Sequence, residues 1–119
     1  MSRHDDQVRL RHMLDHAREA VELAAGRKRA DLDADRMLNL SHTRLLEVIG
    51  EAASRVSSAE RERHAEIPWA DIVGLRNRII HGYDNVNFDI LWEIVTADLP
   101  PLVAALERIL GQQPTGQPE

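Results

Sequence analysis

The sequence predicts an all-α fold: an antiparallel up-and-down bundle of four main helices plus a short one, with the last helix kinked. Three observations carry this prediction. Apolar residues recur with the 3.6-residue period of amphipathic helices. The 6 Gly and 5 Pro fall mostly between the periodic stretches. No stretch shows the strict alternation of a half-buried strand. A length of 119 residues suits one domain. That domain is assigned to residues 1–111, and 112–119, with no apolar side chain to bury, is expected to be a disordered tail.

The first helix is marked by Val8, Met13, Leu14, Ala17, Val21 and Ala24, and Gly26 stops it. The charged segment from Arg27 to Asp31 reads as a loop. A second helix runs from about Ala34 to Val56, with Asp31 or Asp33 as its N-cap and Leu38, Leu45, Ile49, Ala52 and Val56 as its apolar stripe. Gly50 costs this helix about 1 kcal/mol relative to Ala, so it is expected to admit close approach of another helix. Ser57 to Glu60 fits a capping box that opens a short charged helical turn. Pro68 suits the first turn of a third helix, with Trp69, Ile72, Val73, Ile79 and Ile80 on its buried face and Gly82 at its end. Asn87 can cap a fourth helix, which Pro100 and Pro101 should break or kink near Leu99 before it resumes to Leu110. With aromatics at 3%, the core must be aliphatic, and Trp69 and Trp92 are its largest pieces.

Composition excludes several classes. The formal net charge of −5 argues against a general nucleic-acid coat protein and predicts weak binding outside any local cleft. The absence of Cys removes disulfides, thiolate metal sites and cysteine nucleophiles together. No apolar run approaches the ~18 residues a membrane span needs, and the opening Met1-Ser2-Arg3-His4 is too polar for a signal peptide. A soluble, cytoplasmic chain with no membrane partner is expected. Lys28 is the only lysine among 15 Lys+Arg, and Arg is the better residue for bidentate phosphate or carboxylate contacts.

The most unusual segment runs from Gly74 to Tyr83. Arg76 lies four residues after Ile72 and four before Ile80, which puts it on the apolar stripe. A guanidinium buried there must find an anionic partner, and Glu47 or Glu51 on the second helix could supply it. His81 falls at the last turn, beside the C-cap glycine. On a straight helix positions five apart diverge by about 140°, so Arg76 and His81 do not share a face. Read alone, Arg76 could be a structural ion-pair residue, His81 an ordinary C-cap histidine and Tyr83 a core-edge aromatic.

Taken together these residues carry a resemblance. Arg76, four intervening residues, His81, one residue and Tyr83 are similar to the Arg-x4-His-x-Tyr signature of HepT toxins in the HEPN superfamily. The segment Leu46 to Ala53 resembles that family's second helix. Trp69, Ile72 and Gly74-Leu75-Arg76-Asn77 precede the motif, and Leu91-Trp92 and Asp98-Leu99-Pro100 follow it, in the familiar order. The similarity spans roughly Val8 to Leu110. It implies a HEPN-like fold and a metal-independent endoribonuclease toxin, without cofactor, acting on RNA as a homodimer whose motif helices line a shared cleft. It also implies an MntA-like nucleotidyltransferase antitoxin that attaches AMP to Tyr83. Arg76 and His81 would be catalytic, Asn77 would position substrate or pin the helix, and Glu47 and Glu51 would orient Arg76. RNA brings its own nucleophile, the 2′-hydroxyl, so proton transfer and charge stabilisation suffice. The rival reading is a non-catalytic helical subunit that docks a nucleotidyltransferase and binds nucleotide or RNA without cutting.

Three lesser features complete the reading. His12, His16 and Glu19 have a spacing that can hold zinc, but with no second motif no metal site is assigned. Arg27-Lys28-Arg29 could touch RNA backbone or be a plain exposed loop. Arg61 to His64 reads as a solvated face.

Overall fold

A computed structural model describes residues 3–82 and 85–111. Helix α1 spans Arg3–Ala24, α2 Asp31–Ala34, α3 Arg36–Ser54, α4 Ser58–Arg63, α5 Trp69–Val73 and α6 Leu75–Ile79. A two-stranded hairpin follows, β1 Ile80–His81 with β2 Asn85–Val86. Helix α7 spans Phe88–Glu93, a π-helical turn occupies Ile94–Asp98, and α8 spans Leu99–Ile109. The expected tail 112–119 lies outside the described residues.

Chain direction follows from paired residues. Asp6 near the start of α1 meets Ser57 just past the end of α3, and His42 near the start of α3 meets Ala20 near the end of α1. The two long helices are therefore antiparallel. Gly50 abuts Ile72 and Val73 while Glu47 meets Arg76, so α5 and α6 run back along α3. Arg18 on α1 holds Glu107 on α8 at 2.7 Å in a half-buried pair. The all-α bundle is as the periodicity predicts.

The core is aliphatic. Leu10, Met13, Leu14, Leu46, Ile49 and Leu106 are fully enclosed, with Trp69 at their edge. Trp92 is only half-buried and packs edge-on to His42, a buried histidine the apolar pattern did not mark.

Local chemistry fixes most boundaries. Asn87 caps α7 by accepting from Ile90 N. Ser57 caps α4 through Glu60 N, but the return bond of a capping box is not made by Glu60. Asp6 makes it instead, accepting from both the amide and the hydroxyl of Ser57 at 2.9 and 2.7 Å. The N-cap of α3 is Asp35, bonded to Leu38 N, rather than Asp31 or Asp33. Asp31 is drawn off to Lys28 N and opens the one-turn α2.

The third helix and its expected last turn depart from the reading above. The third helix is two five-residue helices interrupted at Gly74. Its expected last turn is the hairpin, in which Ile80 pairs with Val86 and His81 with Asn85. Gly82 opens the turn at φ 77°, a conformation that side chains with a Cβ resist. The kink ahead of the prolines is a π turn: Pro100 and Pro101 lack the N–H groups that would bond the carbonyls of Thr96 and Ala97, and their rings would clash there. Arg61 is not on a solvated face either. It donates to the carbonyls of Ala53, Ser54 and Val56, closing the end of α3, and lies 5.9 Å over the Trp69 ring.

Candidate active site

The site is built where α5 and α6 cross α3. At the crossing a Cβ on Gly50 would stand 3.0 Å from the Ile72 carbonyl oxygen, so only glycine lets the two backbones close to this distance. This contact, which the mid-helix glycine signals, sets α6 against the outward edge of α3.

Arg76 is not buried. The enclosed row is Ile72, Leu75 and Ile79, an i, i+3, i+7 set one position back from the Ile72–Arg76–Ile80 row. Arg76 flanks that stripe with its side chain 67% exposed, and its Nε donates to Glu47 Oε2 at 3.2 Å. Glu47, at 23% exposure, also faces Arg44 at 3.8 Å. Glu51 does not reach Arg76 and pairs with Arg55 at 3.4 Å. Of the two expected orienting carboxylates, only Glu47 holds the arginine.

His81 is exposed on β1, two residues past the end of α6, so the helical turn expected to carry it is absent. The Asn87 amide takes the Ile79 carbonyl at 2.7 Å, which pulls the chain into extended conformation there. Alternation along β1 sends Ile80 inward and His81 outward. Asn77 is exposed on α6. Tyr83 lies outside the described residues.

Arg76 and Glu47 form a ridge between two open hollows. One, of ≈ 590 Å³, is lined by Arg36, Thr43, Ile80, Asn85 and Phe88 among others, and the second, of ≈ 470 Å³, by Arg44, Gly50, Glu51 and Val73. Arg36, Arg44 and Asn85 are groove residues the sequence reading passed over. The signal for the first two was available: they share the outward row of α3 with Leu40 and Glu47. Within one protomer Arg76 lines both hollows, whereas His81 lines neither.

The lesser candidates resolve differently. His16 spends Nδ1 on the His12 carbonyl at 2.7 Å, and among the described residues no group of three His, Cys, Asp or Glu is placed to hold a metal ion. In the basic loop, Arg27 pairs with Asp35, and Arg29 with Asp33 and Asp89, so two of its three charges are already answered.

Against known proteins, the family described as "Ribonuclease HepT-like" matches residues 13–109, which takes in the whole groove and the Arg76–His81 segment. The chain belongs to the HepT-like ribonuclease family. It is 34% identical over 104 residues to "Putative RNase TTE0752" of Caldanaerobacter subterraneus subsp. tengcongensis, covering 87% of this chain and 93% of that one. It is 32% identical over 109 residues to "Putative RNase MJ1380" of Methanocaldococcus jannaschii, covering 92% of this chain and all of that one. With "Probable ribonuclease HepT" of Thermococcus cleftensis it shares 32% over 100 residues, 81% of this chain and 91% of the other. No solved structure matches it. Among the described residues of this HepT-like ribonuclease, no helix is long and apolar enough to cross a membrane.

Proposed function

We propose that this HepT-like ribonuclease is the toxin of a toxin–antitoxin pair in the cytoplasm, cutting RNA without a metal as a homodimer. Arg76 and His81 are its catalytic groups. The observation that carries this reading is the state of Arg76. It stands at the rim of an open groove, two-thirds exposed, with Nε held by Glu47. An exposed ion pair of this kind contributes only about 0–1 kcal/mol to folding, so stability is a poor reason for the arrangement. Phosphate binding is a better one, because the Glu47 contact aims the guanidinium while leaving its terminal nitrogens for an anion.

His81 exchanges a proton with the 2′-hydroxyl or the leaving 5′-oxygen, and Arg76 stabilises charge on the phosphorane oxygens. One histidine cannot be base and acid in the same step, and a two-fold related copy brings a second. Because His81 lines neither of the hollows that Arg76 lines, the two groups meet on one phosphodiester across the dimer rather than within a protomer. The exposed apolar side chains Met37, Leu40 and Val73 beside the groove favour such a partner. AMP placed on Tyr83 by a nucleotidyltransferase antitoxin adds bulk and negative charge two residues from His81, which blocks RNA.

The test is RNA cleavage in EDTA by the wild type, Arg76→Ala and His81→Ala, with light scattering for the dimer. Equal cleavage by all three removes the site assignment, and a monomer at micromolar concentration removes the shared cleft. Incubation with ATP and the transferase should add the mass of AMP to the wild type and not to Tyr83→Phe.

A further inference from the structure

Beyond the Arg76 ridge a third hollow, of ≈ 230 Å³, lies between α1 and the C-terminal half of α3. Its walls carry Arg9, His12, Arg44 and Arg55, with Glu51 as the one carboxylate. It shares Arg44 and Glu51 with the second hollow of the active-site groove, so these two depressions adjoin along the outward edge of α3, with the Arg76 ridge beyond them.

The cations there are poorly answered. Among the described residues Arg9 Nε has no hydrogen-bond partner, and because it is shut off from solvent the guanidinium can meet an anion only through its terminal nitrogens. Among the described residues Arg55 pairs only with Glu51, at 3.4 Å in an exposed pair, and Arg44 only with Glu47, at 3.8 Å. The contrast is with Arg27 and Arg29 on the basic loop, whose carboxylate partners lie at 2.6–3.2 Å. On a chain of net charge −5, weakly paired arginines gathered in one hollow mark a place for phosphate.

We infer that this hollow is a second phosphate subsite, which holds the RNA strand away from the scissile bond. Arg9 and Arg55 grip a backbone phosphate there, and Arg44 stands between that subsite and Arg76. Glu47 on α3 and Arg55, the residue just past its end, are eight residues apart, about 12 Å along the helix axis, so one phosphate cannot occupy both places. The subsite therefore reads length: a strand long enough to reach from Arg76 to Arg9 gains a second anchor, and a shorter one does not. This rests on the nuclease reading for the direction of the strand.

The test uses 2′-O-methyl RNA, which lacks the nucleophile and is bound without being cut. Oligomers of about four and about twelve nucleotides, the range of single-domain strand sites, are labelled and titrated at several salt concentrations. The wild type should prefer the longer oligomer. Arg9→Met, which keeps the volume of the half-buried stem, and Arg55→Gln, at an exposed position, should each reduce that preference several-fold. Each should also make the slope of log affinity against log salt shallower by about 0.7, the loss of one phosphate contact on a single strand. Arg108→Gln, on the exposed side of α8, controls for net charge and should leave the preference in place. Absence of length preference in the wild type, or an unchanged preference and slope in both variants, overturns the inference. So does a variant that alters sedimentation of the free protein and weakens both oligomers equally, since the hollow is then a protein interface. Cleavage of unmodified RNA is scored separately: a wild type that prefers the long oligomer but cuts nothing sinks the nuclease reading and leaves the phosphate subsite standing.

Discussion

Arg76 Nε donates to Glu47 Oε2 at 3.2 Å, joining two helices across 29 residues of chain at the lip of the groove. The pair is lopsided, since the carboxylate is mostly enclosed and the guanidinium mostly in water. A carboxylate so placed fixes where the arginine points without using up its capacity to bind an anion.

Arg76→Ala should lower RNA cleavage by about 10²–10³, the usual cost of removing one group that stabilises transition-state charge. Unfolding free energy should change by less than about 1 kcal/mol, because the pair is exposed. Glu47→Gln keeps a hydrogen-bond acceptor and should cost less activity. Cleavage rates and denaturant midpoints on the same preparations check both.

Gly50→Ala sets two effects against each other. Removing glycine from the middle of α3 gains about 1 kcal/mol of helix propensity. The new Cβ would lie 3.0 Å from the Ile72 carbonyl oxygen, a backbone atom that cannot swing aside, and overpacking of this kind costs about 1–3 kcal/mol. Net destabilisation is expected, with a larger loss for Gly50→Val. Because the same contact seats α6, cleavage should fall together with the melting temperature.

His42 gives stability a dependence on mild acid. Burial pushes its imidazole below the usual 6.5, and the nearby Arg27 charge lowers it too, while the bond to the Ala20 carbonyl works the other way. The native state therefore holds the ring neutral after the unfolded chain begins to take up the proton. Stability is full above about pH 6.5 and falls as pH drops from there towards the depressed native value. Urea midpoints at pH 7.5 and about 5.5 should differ in the wild type. In His42→Gln, which can still donate to Ala20 O, the difference should shrink.

Asp6 sets a second, more acidic limit. Burial by itself would raise its carboxyl, but the Ser57 hydroxyl and amide outweigh that and hold it below the usual 3.8. Its contribution is present above that value and disappears as pH falls through the depressed native one. Asp6→Ala leaves the Ser57 amide without its partner and should cost about 1–3 kcal/mol near neutral pH. Thermal melts of the two proteins should converge at low pH.

The order of helices, the Ser57 and Asn87 caps and the close approach at Gly50 were legible in the sequence, which left the carboxylate facing Arg76 open between Glu47 and Glu51. Each depends on residues near one another in sequence, or on one conspicuous departure such as a glycine inside a helix. The exit of the chain at Ile80 was not legible. Two-residue strands carry no alternation to read, and the hairpin exists because Ile80 finds Val86 and the Asn87 amide finds the Ile79 carbonyl. The choice of Asp35 over its acidic neighbours as cap was equally hidden, since all three are chemically able to cap and only the path of the loop selects one.

For this protein, then, the order of residues determined an aliphatic helical bundle and the segment that bears its arginine and histidine. Periodicity and capping act over one or two turns, and the linear pattern holds that information. Packing alone decided that Arg76 stands in solvent on the rim, that His81 leaves the helix for an exposed strand, and that the weakly paired Arg9, Arg44 and Arg55 gather in one hollow. Those outcomes depend on the phase of α6 against α3 and on the extended exit from it, which are fixed only when distant segments meet.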